Sequence, residues 1–458
     1  MTNQLEKKKL GLLECVMILV GGMIGSAIFS LSGLTYAMAG GSAIISWIIG
    51  GIILLMYGFV VAELCTIYPG SGGIFFFPHN ALFEKKDAKE GIGWAAAWSL
   101  LNVNIFGAAF SAIFISTYLS QSFPALADYQ VLLAVIWCLI CGALCLMNIT
   151  VAGKVNLILT GTLLLGMLAF SIISFTSGGM DLTNFSPFFT RGSGGWSGFI
   201  SAIPVAMLAY GAIISVAFMM GQVRDPSKTV PKSMKLAAVV SISAYVIVFV
   251  ALVGMMAVEA FNAAETAYIQ YVPLYAVAWF KLSSITWLHY IVSIAATMAL
   301  TTTLLVLMMT AGWTVQAVAA KGLLPKGLAK ISDKTGTPIG AMLVVIAITT
   351  LVACFPSMTQ EITNCGAITN AVSIIIMSIA LLKARRNHEH KLGTFRAPGG
   401  SLMPIVLIVL LIIFILPGVF QPWSYWGIAL GWYALGLVIF VLMRMAKKNS
   451  LEEATNKA

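Results

Sequence analysis

The groups best suited to chemistry in this chain belong to the backbone. Gly21, Gly22, Gly25 and Ser26 fall within six positions of an otherwise apolar stretch, 19–30. Each Gly weakens a helix interior by about 1 kcal/mol relative to Ala, so the stretch predicts an interrupted helix. A half-helix restarting near Ser26 would aim free N–H groups and the positive end of its dipole at an anion such as a carboxylate. The carbonyls that end the preceding half would face a cation. Together the two ends would hold a zwitterion by non-covalent chemistry alone. The competing reading is a packing face, in which Gly21/Gly25 and Gly22/Ser26 let two helices approach closely. A second stretch, Pro204 to Ser215, repeats the pattern, with small residues beside Tyr210 in the middle of an apolar run.

The elements that must position these stretches are membrane spans. The chain of 458 residues is 60% hydrophobic and 9% charged, against roughly 25% charged in soluble domains. The first apolar run follows Lys7, Lys8 and Lys9 and continues without a small-residue cleavage site, which argues against a removable signal. Runs long enough to cross a bilayer fall at 12–37, 43–67, 93–121, 130–149, 154–175, 198–221, 235–258, 286–315, 340–355, 362–383, 402–418 and 424–445. The ninth and eleventh are short. With the N-terminus inside, alternation of these twelve places every Lys and Arg except Arg191 and Lys281 on the cytoplasmic side. The net charge of +10 therefore reads as topology and not as nucleic-acid binding.

Two interrupted spans at matching places in two five-helix halves point to an inverted-repeat transporter, because five is odd and the second half enters the membrane from the opposite side. The expected organisation is a cytoplasmic N-terminus (1–11), a first repeat (12–175), a second repeat (198–383), two appended spans (402–445) and a cytoplasmic C-terminus (446–458).

Polar residues inside the spans are few. Asn102 and Asn104 are expected to face protein or a cavity, since facing lipid is costly. Glu14, Glu63 and Glu361 lie near interfaces, and Glu63 is a candidate for gating or for holding the loop that follows it. That loop, Tyr68 to His79, leads from turn residues into an aromatic stretch expected to be an interfacial helix or a gate. His79 reads as packing. Cys138, Cys141 and Cys145 share one apolar span and read as buried thiols, with no His, Asp or Glu to complete a metal site. Asn148 to Thr150 matches a glycosylation sequon on the inner side and carries no weight.

At this point the residues resemble the amino acid, polyamine and organocation transporter superfamily. Gly22 to Phe29 is similar to its first-helix element G-x-I-G-S/A-G-I-F. Glu63-Leu64, Tyr68-Pro69, Ser71-Gly72-Gly73 and Phe77 resemble its E-L…P-x-S-G-G loop. Val223 to Lys232 resembles E-V-K-N-P-x-K-x-I-P-R. Gly322-Leu323-Leu324-Pro325 with Gly336-Thr337-Pro338, and Phe395 to Gly400, complete the set. The resemblance implies an all-α polytopic membrane protein of twelve helices with a LeuT-like 5+5 inverted repeat and two extra C-terminal helices. It implies transport of an amino acid or close relative across the plasma membrane by alternating access, with no cofactor.

On that reading the carboxylate sits on the N–H groups of Gly25, Ser26 and Ala27. The ammonium sits on carbonyls around Gly22, Met23, Leu208 and Ala209. Tyr210 covers the site, and Asn104 and Trp98 are wall candidates. The chain departs from the family at Ala27, at Gly221-Gln222, at Trp313 and Lys321, and in span 5, where relatives carry a Lys and Val155 to Leu163 offers none. Thr162 is the polar residue left in span 5 in place of that charge, and a cation at the junction of spans 1 and 5 would draw on carbonyls of Gly22 and Met23 and on Thr302 or Thr303 of span 8. The alternative is that these threonines bond their own helix. Coupling to sodium, to protons or to exchange stays open. A polyamine or cationic amine is the rival substrate and calls for a mid-span carboxylate. An enzyme calls for clustered acids, histidines or nucleophiles, and the dispersed acids and four histidines argue against it.

Overall fold

A backbone that cannot turn to water must close its hydrogen bonds inside helices, and among the described residues the chain forms helices and no strand. The computed structural model describes residues 9–68, 73–147, 149–263, 269–389, 393–415 and 423–456. The side chains of Ser26 and of 359–364 lie outside that set, as do Asn148, Pro69 to Gly72 and the first eight residues.

The helices run in order: α1 (Leu12–Ile24), α2 (Ser26–Ala39), α3 (Ala43–Ile67), α4 (Gly73–Ala81), α5 (Lys86–Ser122), α6 (Gln130–Leu146), α7 (Ile149–Thr176), α8 (Gly195–Leu208) and α9 (Ser215–Phe218). There follow α10 (Pro226–Met255), α11 (Glu259–Asn262), α12 (Pro273–Phe280), α13 (Leu288–Ala320), α14 (Ile339–Ala353), α15 (Thr359–Arg386), α16 (Leu402–Ile415) and α17 (Trp423–Asn456).

Nine apolar stretches among the described residues are long enough to cross a membrane. The first, Leu12–Ile67, contains α1, α2 and α3, while α14 and α16 are apolar but shorter. Several helices outrun the hydrophobic limits read from sequence. α5 begins at Lys86, α10 at Pro226, and α17 continues to Asn456. The hydrogen-bond ladder does not stop where apolar residues do.

Both expected interruptions are present. α1 ends at Ile24, Gly25 bends with φ −55° and ψ −105°, and α2 restarts at Ser26. α8 ends at Leu208, residues 211–214 form a 3-10 turn, and the short turn α9 and a 3-10 turn at Met220–Gln222 follow. α1 packs against α7, α10, α13 and the 211–214 turn. Before α1 and after α9 the chain pairs once more, with Leu10 N–H donating to Gln222 O (2.8 Å) and Arg224 N–H to Leu10 O (2.9 Å).

Charged residues hold helix ends together. Arg385 grips buried Glu63 with Nε on Oε1 (2.9 Å) and Nη2 on Oε2 (2.5 Å), and Ala397 N–H donates to Oε2 (2.7 Å). Glu63 thus holds the segment after α15. It was expected to hold the loop that follows α3, but that loop runs through residues outside the described set. Lys447 on α17 pairs with Glu90 (2.8 Å) and Arg444 with Asp87, which explains why α17 continues past its apolar part. α4 buries Ile74, Phe75 and Phe77, so it is packed against the helices around it.

Candidate functional site

The site is built where the two interruptions meet. At Gly25 the requirement is for space. A Cβ there would fall 1.4 Å from Thr303 Oγ1 and 2.6 Å from Ala299 O on α13. At Gly22 it would fall 2.8 Å from Ala212 Cβ. The packing-face reading and the interrupted-helix reading are therefore both true, because close approach to α13 is what brings hydroxyls to the end of α1.

The last four carbonyls of a helix have no partner within it, and three of those in α1 have partners from other helices. Thr302 Oγ1 donates to Gly21 O (2.9 Å) and also contacts its own Ala299 O (2.7 Å). Thr303 Oγ1 lies 3.3 Å from Gly22 O and 3.4 Å from Gly21 O. Met23 O accepts from Tyr245 on α10, and the same hydroxyl lies 3.3 Å from Ala209 O in the second interruption. Tyr245 thus joins the carbonyl ends of both broken helices, at two of the four carbonyls expected to hold an ammonium group.

Tyr245 is held by an aromatic cluster. Its ring lies edge-on to Trp47 (4.7 Å, 81°) and to Tyr210 (5.1 Å, 86°). Tyr210 donates to Trp47 O (3.0 Å), and Trp47 Nε1 donates to Thr35 Oγ1 on α2 (3.0 Å). Tyr210 is buried among these groups. The N-terminal turn of α2, with Ser26 and Ala27, carries the opposite polarity. Its first N–H groups have no acceptor within the helix. One end of the junction presents donors and the other a set of carbonyls already engaged by hydroxyls, which is the polarity of a zwitterion.

Of the other expected residues, Leu208 is half-buried beside buried Ala209. Asn104 is buried on α5 with its Nδ2 unpartnered among the described residues. Asn102 instead accepts from Thr369 Oγ1 on α15 (2.9 Å). Trp98 exchanges hydrogen bonds with Trp432 on α17 (2.8 and 2.9 Å) in a stacked pair. Thr162 is exposed and bonds its own helix at Ile158 O (3.1 Å), so it is not brought to α1. The hydroxyl of α7 that reaches α1 is Thr160. Sequence reasoning missed Trp47, Tyr245, Asn156 and Thr160. A Tyr in mid-span at 245 was the available signal.

The loop entering α8 is tied to the end of α2, with Ser193 N–H on Ala37 O and Gly194 N–H on Met38 O, both 3.0 Å. Arg191 in that loop pairs with Glu259 on α11 (3.0 Å) and holds its carboxyl below the ordinary carboxylate range. Among the described residues the buried acids are Glu63 and Glu90, and each faces a base. Cys138, Cys141 and Cys145 are buried free thiols.

A chain that is helical throughout its regular structure among the described residues, with this many apolar stretches and two broken helices joined at their carbonyl ends, is a polytopic integral membrane protein. The profile of the amino acid permease family matches residues 10–442, and the chain belongs to that family. It is 24% identical to a branched-chain amino acid permease of Lactococcus lactis over 92% of this chain and 91% of the relative. It is 24% identical to cationic amino acid transporter 1 of Arabidopsis thaliana over 83% of this chain and 63% of the relative. It is also 24% identical to a methylthioribose transporter of Bacillus subtilis over 97% and 94%.

Proposed function

We propose that the chain is a secondary transporter that moves a neutral amino acid across the cytoplasmic membrane by alternating access. Membership of the amino acid permease family supports amino acid transport, and its transporter relatives fit a role other than an enzyme's. The observation that carries the reading is the hydroxyl of Tyr245 standing at Met23 O and Ala209 O, the acceptors that join the two broken helices. In this reading the α-ammonium takes over those acceptors, and the α-carboxylate sits on the first N–H groups of α2.

A neutral side chain is favoured because Glu63 and Glu90 already face Arg385 and Lys447, so neither is left to balance a cationic substrate. Around Gly22 the neighbours are Ala212 and Val306, which suits an aliphatic group. The rest of the proposal is topological. Twelve crossings form a LeuT-like arrangement of inverted repeats, 12–175 and 198–383, with 402–445 appended and both termini cytoplasmic.

The test is thermal unfolding of the purified protein with leucine, isoleucine, valine, lysine, putrescine and leucinamide, followed by counterflow in proteoliposomes. A ligand at a hundredfold excess over Kd stabilises the folded state by about 2.7 kcal/mol. Stabilisation by leucine and not by leucinamide supports the carboxylate site. Equal stabilisation by putrescine and leucine would favour the amine transporter instead.

A further inference from the structure

About two turns before its end, α1 is fastened to α7 by groups that the zwitterion site does not use. Asn156 Nδ2 donates to Met17 O (3.0 Å) and lies 3.4 Å from Thr160 Oγ1, and Thr160 Oγ1 donates to the same Met17 O (3.2 Å). Both side chains are fully buried. The directions are mutually consistent: both amide protons and the hydroxyl proton are used. Asn156 Oδ1 has no donor among the described residues, and turning the amide over would set two acceptors face to face at Met17 O. Met17 lies inside α1, so its carbonyl already belongs to the helix ladder and the contacts from α7 are additional. At Gly21 a Cβ would fall 2.3 Å from Thr160 Oγ1 and 3.1 Å from Thr302 Cβ. α1 is thereby held between α7 and α13 with no side chain of its own as a spacer.

We propose that Asn156 and Thr160 are positioning residues for the half-helix Leu12–Ile24, forming a neutral clasp that sets its register on α7 and the ease with which it separates. The inference rests on the alternating-access reading. Directional bonds fix the height and rotation of α1, which apolar packing alone leaves free to slide. The clasp is also poised to open. A buried acceptor without a donor is a substantial penalty in the closed state, and water entering between α1 and α7 would relieve it at Asn156 Oδ1. Thr162, two residues on, faces away and serves as the internal control.

The experiment is amide hydrogen exchange on the full chain in lipid nanodiscs, comparing the native protein with Thr160→Val, Thr160→Ser, Asn156→Leu and Thr162→Val. Thr160→Val is expected to speed exchange in peptides from 12–24 by about fivefold or more, as for loss of a buried hydrogen bond, with peptides from 288–320 unchanged. Thr160→Ser, which keeps the hydroxyl, and Thr162→Val are expected to stay within about twofold of native. Asn156→Leu, which keeps the branched shape and removes both amide donors, gives a second route should Thr160→Val not fold, with the same local effect expected. Native exchange in both Thr160→Val and Asn156→Leu, a rise spread evenly over all helices, or an equal rise in Thr162→Val would overturn the clasp. Counterflow is measured on the same samples. Absence of counterflow in the native protein with every amino acid defeats the transport reading, while the exchange pattern still judges the clasp.

Discussion

The two broken helices reach the same junction by different means. The α1–α2 break is a single bend at Gly25, opened by the approach of α13, and its loose carbonyls are taken by hydroxyls from α13 and α10. The α8–α9 break is spread over residues 209–214 and closes much of its own backbone through short turns, such as Tyr210 N–H on Met207 O and Ile213 N–H on Tyr210 O, both 3.0 Å. One break is held from outside and the other from within. Partners on other helices can let go without unfolding α1 or α2, whereas a self-bonded turn moves as a unit.

The sharpest separation of the two is glycine replacement. Gly25→Ala drives a Cβ into Thr303 and the backbone of α13 and is expected to destabilise by at least about 3 kcal/mol, the upper range for overpacking. Gly211→Ala meets nothing within 4 Å and is expected to stay within about 0.5 kcal/mol of native. Thermal unfolding of both variants checks this, and similar midpoints for the two would erase the contrast.

Tyr245→Phe comes next. It keeps the ring among Trp47 and Tyr210 but strips the hydroxyl from Met23 O and Ala209 O, with an expected loss of about 1–2 kcal/mol without ligand. Saturating amino acid should restore more of that loss than it adds to the native protein, since its ammonium supplies the missing donor. A ligand-induced shift no larger than native would mean that the hydroxyl and the ammonium use different acceptors. Tyr210→Phe removes one bond, to Trp47 O, and is expected to lose about 1 kcal/mol, with the ligand-induced shift unchanged.

The smallest effect concerns the entry to α8. Glu259 has its carboxyl lowered by Arg191, so the ion pair stabilises the fold above the ordinary Glu range and that contribution fades as pH falls through the lowered value. With Glu259 63% exposed, the amount is screened to under about 1 kcal/mol. Glu259→Gln should therefore differ slightly from native stability at pH 7, with the gap narrowing as pH falls below the ordinary Glu range. A larger gap at low pH than at neutral pH would reverse the assignment.

How far the site could be read without the fold depends on the kind of information each residue carries. Clusters of Gly and Ser announce a weak helix from local propensity alone, so the interruptions near Gly25 and Tyr210 were legible. Thr302 and Thr303 were picked out as polar groups in an apolar run, and both reach carbonyls of α1 while also contacting their own Ala299 O. Helix phase was not legible in α7. Thr160 and Thr162 are separated by about 200° around a helix, so only one can face α1, and Asn156, which shares a face with Thr160, was the one polar neighbour that marked it. The partners of Trp98 and Glu63 were not legible for a related reason, since Trp432 and Arg385 lie more than three hundred residues away.

The sequence by itself determined that the backbone would close in helices, where their apolar stretches fall, and where two of them are too weak to continue. Hydropathy and propensity are local, and lipid leaves the backbone few alternatives. Tertiary structure alone decided which hydroxyls cap the end of α1, that Tyr245 joins the two breaks, and that Thr160 rather than Thr162 reaches Met17. Those outcomes depend on the rotation of one helix against another, and that rotation is set by complementary surfaces far apart in the chain.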